Sequence, residues 1–282
     1  MNTLKRIYVM AYLTGAVILV IKASQGLFSS HHWIGWLGVL LTAAPIVVIL
    51  LIAMLTRRMA RTSTNLPLFI AGGLAGLLLA AWEAHFAGGE RDLVYLALAG
   101  FAGFLLYVFW YSRFNRKPSP AIAVGTSLPA FEVLDRAGDA VSSQALTETP
   151  AVLIFIRGNW CPFCMGQVNE MAAGIAPFVE RGIRVAFIAP QSVGKTAALA
   201  EGKPDGLEFY SDTGNAAGRV LGIDNPAALP LGMELLGYRS ESVLPTVIAV
   251  AAGGGILWTH ETDNYRVRPT PAELLAVFND AA

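Results

Sequence analysis

Cys161 and Cys164 are the only two cysteines among 282 residues, and they stand three apart in "IRGNWCPFCMGQ", residues 156–167. The preceding "AVLIFIR" has the composition of a β-strand that ends at Arg157, with Gly158 and Asn159 to turn the chain. Pro162 then suits the first position of a helix, where its missing N–H costs nothing. Cys161 is therefore expected at a helix N-terminus, where unpaired amides and the helix dipole favour a thiolate, and Arg157 can add positive charge. Cys164 follows one turn later on the same side, within range for thiol–disulfide exchange. A zinc site needs about four ligands, and His260 is the only histidine in this half. A purely structural bridge closing so short a loop would restrain the unfolded chain little. A redox dithiol is the reading that fits C-x-x-C after a strand.

The elements that hold this pair form a soluble domain. "AFEVL", "AVLIFIR", "RVAFIAP", "LEFYS", "TVIAV" and "GILWTHE" read as strands, with helix-length segments at 162–181, 192–201, 213–221 and 270–279. Their alternation predicts a mostly parallel sheet covered on both faces. The remaining first half is of a different kind. Ile7–Ile21, Trp33–Leu55, Leu66–Phe86 and Leu93–Tyr111 are apolar runs, and about 20 such residues cross a hydrocarbon core. A cleaved signal peptide is the other reading of the first run, and a buried helical core the other reading of all four. The expected organisation is a four-helix transmembrane bundle over 1–115, a basic, proline-bearing linker over 116–124, and an α/β domain over 125–282.

Charge follows the same division. Residues 1–115 carry eight Lys/Arg and three Asp/Glu, a net of +5; residues 116–282 carry twelve and seventeen, a net of −5. The acidic half argues against nucleic acid as a partner, since phosphate binding needs a concentrated basic face. Lys5, Arg6, Arg57, Arg58, Arg61, Arg113, Arg116 and Lys117 fall on one side of the spans, against Lys22 and Arg91 on the other. The positive-inside rule then puts both termini and the redox domain in the cytoplasm, with a bacterial inner membrane as the expected site and exposure on the outer side as the alternative. His31, His32, His85, Glu90, Arg91 and Asp92 lie near span ends, and a haem or quinone site built on these histidines is disfavoured. No cofactor is expected. Glu83, inside an apolar run, is the one acid that invites a functional reading. Gly72, Gly73 and Gly76 with Ala80 and Ala81 suit close helix packing.

The stretches "VG" at 124, "LPAFEVLDRAGDAVSSQAL", "AVLIFIRGNWCPFC", "VLPTVIAV" and "TDNYRVRPTPAELL" together resemble the thioredoxin-like redoxins, and more narrowly the peroxiredoxin-like branch of the AhpC/TSA family. The resemblance covers about residues 120–280 and leaves the membrane half without a relative. It implies a thioredoxin-like fold with Cys161 as attacking thiolate and Cys164 as resolving thiol. Trp160 would pack beside them, with Pro162 at the helix start. Leu244 would precede a cis Pro245 that faces the dithiol, and Arg157 and Arg268 would support the site. Peroxiredoxins carry P-x-x-x-T-x-x-C. Counted back from Cys161, the threonine place holds Gly158 and the proline place Ile154, so the usual peroxide pocket is missing. The leading expectation is a membrane-anchored thiol–disulfide oxidoreductase acting on a protein or small-molecule disulfide. A thiol peroxidase, and a membrane interaction or transport subunit with a redoxin docking module, are the alternatives.

Other features have plainer readings. "VAFIAPQSVGKTAAL" imitates a nucleotide loop, but the position of the first glycine is Ala189 and Pro190 stiffens the turn. Lys195 then reads as a surface lysine, Ser192 as a helix cap, and His260 as an ordinary histidine. Residues 224–242 form a long connection expected to flank the site or meet a partner. Nothing in the sequence speaks to an oligomeric state.

Overall fold

The computed structural model describes residues 2–279. The described chain divides into two compact units, one of residues 3–56 and 62–113, the other of residues 57–61 and 114–279. The first unit contains α1 (Asn2–Ser29), α2 (Trp33–Thr56), α3 (Pro67–Phe86) and α4 (Arg91–Leu106), the last running into a π-helical turn at Tyr107–Tyr111. All four are long and apolar enough to cross a membrane, by length and composition. The first is a full-length helix of 28 residues, well beyond the 15 apolar residues that mark it in the sequence, because its polar ends are helical too.

Small residues set the spacing in this unit. A Cβ on Gly38 would stand 2.4 Å from the Gly76 carbonyl oxygen, and one on Gly76 2.6 Å from that of Gly38. Backbones approach this closely only where side chains are absent, the usual device of apolar helix pairs. Glu83 is buried, and its carboxylate accepts the Gly35 N–H at 2.6 Å. Gly35 lies in the first turn of α2, whose amides lack helical partners, so the isolated acid caps a neighbouring helix. His85 lies edge-on to the Phe86 ring.

The second unit is a mixed-sheet α/β domain. Its chain order is β1 (Glu132–Leu134), β2 (Ala140–Ser142), α5 (Ser143–Leu146), β3 (Ala151–Phe155), α6 (Pro162–Ala173), α7 (Ala176–Glu180), β4 (Arg184–Ala189), α8 (Val193–Ala200) and β5 (Leu207–Ser211). There follow α9 (Ala216–Val220), β6 (Asp224–Asn225), β7 (Ser242–Val243), β8 (Thr246–Val250), β9 (Ile256–Glu261) and α10 (Pro271–Val277). Seven strands form one sheet in the order β2-β1-β5-β4-β3-β8-β9, and β6 pairs with β7 separately. β3 and β8 are buried at all five positions, as central strands covered on both faces must be.

Several sequence expectations need correction. The sheet is not mostly parallel: β3, β4 and β5 run parallel, while β8, β9 and β1 are antiparallel to their neighbours. The short turn between β8 and β9, with left-handed Gly253 and Gly254, makes a hairpin, and a hairpin is antiparallel. The single helix expected at 162–181 is two. Gly174 ends α6, and Pro177 sits in the first turn of α7, where no N–H is needed. Ser192 precedes α8 but makes no side-chain cap.

The segment 116–124 is folded rather than a free linker. Ile122 is fully buried in the core with Phe131, Leu153, Phe155 and Ile248. The Arg116 guanidinium pairs with Glu261 at 2.6 Å, with side chains 2% and 9% exposed. Ser119 donates to the Leu221 carbonyl at 2.7 Å. Composition marks such a stretch as a spacer because it cannot show that Arg116 and Ser119 have partners more than a hundred residues away.

Candidate active site

β3 delivers the chain to the site, and its neighbours hold the exit. The Ile156 N–H donates to the Ile188 carbonyl at 2.9 Å, one residue past the strand. Gly158 has φ +136°, and a Cβ there would stand 2.7 Å from the Trp160 Nε1; only glycine takes that turn without strain. The Asn159 N–H is held by the Gln191 side-chain oxygen at 3.0 Å. Trp160 Nε1 donates to the Arg157 carbonyl at 3.1 Å, and the Ser242 hydroxyl to the same oxygen at 3.0 Å. Cys161 is the N-cap of α6 with Pro162 at its start, as the spacing predicts.

The two sulfurs lie side by side as free thiols in a buried site. Cys161 is 1% exposed and Cys164 0%. The Arg268 guanidinium donates to the Cys164 Sγ at 3.4 Å and to the Gln167 side-chain oxygen at 2.8 Å, and its Nε to the Tyr265 carbonyl at 3.3 Å. Arg157 lies 4.6 Å from the centre of the Trp160 ring and 5.5 Å from that of Tyr265. Phe163 meets Tyr265 edge to face at 5.6 Å between centroids.

These surroundings divide the acidity of the pair. Burial, then the hydrogen bond to Cys164 and that sulfur's charge, push Cys161 well above the ordinary thiol value. Burial also pushes Cys164 up, but the Cys161 hydrogen bond, the Arg268 and Arg157 charges and the Arg157 backbone N–H outweigh it and bring Cys164 down to about 5. The cation in contact with the pair thus touches the second sulfur, not the first. The helix-start argument weighed the amides, the dipole and Arg157, whereas a guanidinium in contact with the sulfur is a stronger influence on a buried anion.

Leu244 and Pro245 stand at the expected edge. Phe155 pairs with Thr246, so Pro245 lies just past the strand end that leads to the dithiol. No cis peptide occurs among the described residues, which corrects the expectation for Leu244–Pro245. The trans arrangement leaves the backbone satisfied: the Leu244 N–H donates to Ile223 at 2.7 Å, its carbonyl accepts the Thr246 hydroxyl at 2.9 Å, and the Pro245 carbonyl accepts from Arg116 at 3.2 Å.

The 224–242 connection flanks the site. The Ala228 carbonyl accepts from Arg157 at 2.9 Å, and the Tyr238 hydroxyl bonds the Asn159 side chain at 2.5 Å. Lys195 is not a free surface lysine: it stands 3.2 Å from the Tyr238 ring centre and donates to the Leu236 carbonyl at 2.7 Å. His260 stacks on Trp258 and is pulled down by burial. Sequence reasoning missed Gln167, Tyr265, Ser242 and Gln191. Only Gln167 carried a usable signal, three residues past Cys164 on the same helix face.

Residues 124–256 match the model of the AhpC/TSA family. No curated protein matches the sequence. Solved structures that resemble part of it include peroxidoxin BcpB from Mycobacterium tuberculosis, with 18% identity and TM-score 0.47 over 57% of this chain and 99% of that one. A thiol peroxidase from Chromobacterium violaceum has 14% identity and TM-score 0.45 over 60% and 95%. Peroxiredoxin 5 from Alvinella pompejana has 16% and 0.46 over 56% and 99%. The second unit therefore contains an AhpC/TSA family domain, and the protein is a redox enzyme, a thiol peroxidase or thiol oxidoreductase.

Proposed function

We propose that the protein is a membrane-anchored thiol peroxidase in which Cys164 attacks and Cys161 resolves. The observation that carries this reading is the Arg268 guanidinium on the Cys164 sulfur, with the Cys161 thiol hydrogen-bonded to it. A buried thiolate with a cation beside it suits a small oxidant, whereas a protein disulfide would need an uncovered sulfur. Counted from Cys164, the threonine place of P-x-x-x-T-x-x-C is Cys161 and the proline place Arg157. The Cys161 S–H then supplies the hydrogen bond that a threonine hydroxyl would.

The Cys164 thiolate attacks one oxygen of a hydroperoxide, the O–O bond breaks, and Cys164 becomes a sulfenic acid while the leaving alkoxide takes a proton. Cys161 then loses its proton and attacks the Cys164 sulfur, releasing water and closing a disulfide. Two external thiols return the pair to the dithiol and leave as their own disulfide. A second reading, disulfide exchange with small-molecule disulfides, is favoured by the C-x-x-C spacing at the helix start. The four apolar helices would anchor the domain, and the eight-to-two distribution of basic residues supports a cytoplasmic side for it.

Single-turnover oxidation by peroxide tests the chemistry. Cys164→Ser is expected to abolish it. Cys161→Ser is expected to stop at a sulfenic acid that a sulfenate-specific nucleophile captures for mass spectrometry. Parent-like oxidation of the Cys164→Ser protein would overturn the assignment, and a parent rate no better than a free thiol would remove the peroxidase reading. Protease accessibility of the second unit in intact and lysed cells tests the orientation.

A further inference from the structure

The loop between α2 and α3 contributes residues 57–61 to the second unit, and these lie along α6. A Cβ on Gly166 would stand 2.4 Å from the Met59 carbonyl oxygen and 2.7 Å from the Ala60 nitrogen. Asn169 donates to the Arg57 carbonyl at 2.9 Å. Gly166, Asn169 and Glu170 fall on one helix face. Arg61 reaches from this face to a second piece of the domain. Its guanidinium makes a two-pronged pair with Glu170, one bond 2.9 Å long, and donates to the carbonyls of Arg268 at 2.9 Å and Pro269 at 3.1 Å.

Those two pieces are the ones that carry the reacting sulfur and its cation. Cys164 sits on α6, six residues before Glu170, and Arg268 supplies the guanidinium that touches it. The gap between sulfur and guanidinium is therefore set by the gap between α6 and the 265–269 segment, and Arg61 is bonded to both sides. As an ion pair alone, Arg61–Glu170 would count for little, since both side chains are about a third exposed. Its bonds to two successive carbonyls of the Arg268–Pro269 backbone are what a geometric role requires. Arg61 is absent from the influences acting directly on Cys164, which are Cys161, Arg268 and Arg157.

We infer that Arg61 is a positioning residue of the thiol site: it holds the backbone of Arg268 at a fixed distance from α6 and so keeps the guanidinium on the Cys164 sulfur. This rests on the reading of Cys164 as the attacking thiolate. The charged and titratable groups around the assembly are Cys161 and Arg157 beside the sulfur, Glu170 on α6, His260 on β9 near Arg268, and Glu273 on α10 near Arg61 and His260. None of them replaces the Arg61 bonds to the Arg268 and Pro269 carbonyls.

The test is the pH at which the first thiolate appears in the full-length chain, followed by its ultraviolet absorbance, with thermal unfolding as control. Arg61→Gln is expected to raise that midpoint by about one pH unit, part of the one to three units that a contacting cation supplies. Arg61→Lys, which keeps the charge but loses the fork, is expected to raise it less. Glu170→Gln leaves the carbonyl bonds in place and is expected to raise it least. In an Arg268→Gln background, Arg61→Gln is expected to add nothing further. Folded Arg61→Gln and Arg61→Lys proteins with the parent midpoint would overturn the inference, as would an equal shift with and without Arg268. If Arg61→Gln does not fold, Arg61→Lys alone decides. A parent protein with no acidic thiol would instead overturn the underlying assignment of Cys164.

Discussion

Replacing Arg268 by glutamine tests the electrostatics of the site most directly. The guanidinium donates to the Cys164 sulfur at 3.4 Å inside a buried site. Two unit charges at that distance interact by about 5 kcal/mol at an effective dielectric constant of about 20. About 1.4 kcal/mol corresponds to one unit of pKa, so the ceiling is about 3.5 units. Glutamine can still donate one neutral hydrogen bond to the sulfur, and Arg157 and Cys161 remain, so about two units is the expected change, within the one to three units usual for an opposite charge in contact. Cys164, held at about 5 in the parent, should then ionise near neutrality. The assay is thiolate absorbance against pH, because oxidation rates alone mislead: a less acidic thiol is a better nucleophile once ionised. A midpoint that does not move would refute the claim that this cation makes Cys164 acidic, and would return the first role to Cys161.

Three further outcomes follow from the geometry. Gly158→Ala forces a Cβ onto a φ of +136° and toward the Trp160 indole, so it should cost about 1–3 kcal/mol, seen as earlier thermal unfolding by tryptophan emission. Glu261→Ala strands the Arg116 guanidinium, whose side chain is only 2% exposed, and should destabilise the second unit by about 3–5 kcal/mol in chemical denaturation. Stability should also depend on pH through the dithiol. Between about 5 and the ordinary value of 9.0, the unfolded chain holds a proton on Cys164 that the folded chain lacks. Stability therefore rises with pH across that window, and the contribution is lost as pH falls through about 5. Cys161, raised by burial, acts oppositely and only above 9.0. Cys164→Ser should flatten the stability curve between these values.

The dithiol, its place after a strand and the proline that opens α6 were legible because they depend on neighbours in sequence. So were the four apolar helices and the helix-length segment at 270–279, whose Thr270–Glu273 capping box the structure adds. The β8–β9 hairpin was legible in principle, since "AAGGG" between two apolar runs is turn chemistry. What the sequence hid was long-range. Nothing near Glu83 says that Gly35 needs an acceptor. Nothing near Ile122 says that it completes a core. The contact on Cys164 was hidden for the same reason: the helix start is local information, whereas Arg268 meets its sulfur across 104 residues.

That last separation bears on synthesis. At roughly 5–20 residues per second, the 104 residues that part Cys164 from Arg268 take about 5–20 s to make. Until the C-terminal segment folds back, the nascent sulfur lacks the cation that touches it, and Arg157 is the nearby positive charge that remains. The contact between guanidinium and sulfur is therefore made only after the whole of the second unit's sheet has been synthesised.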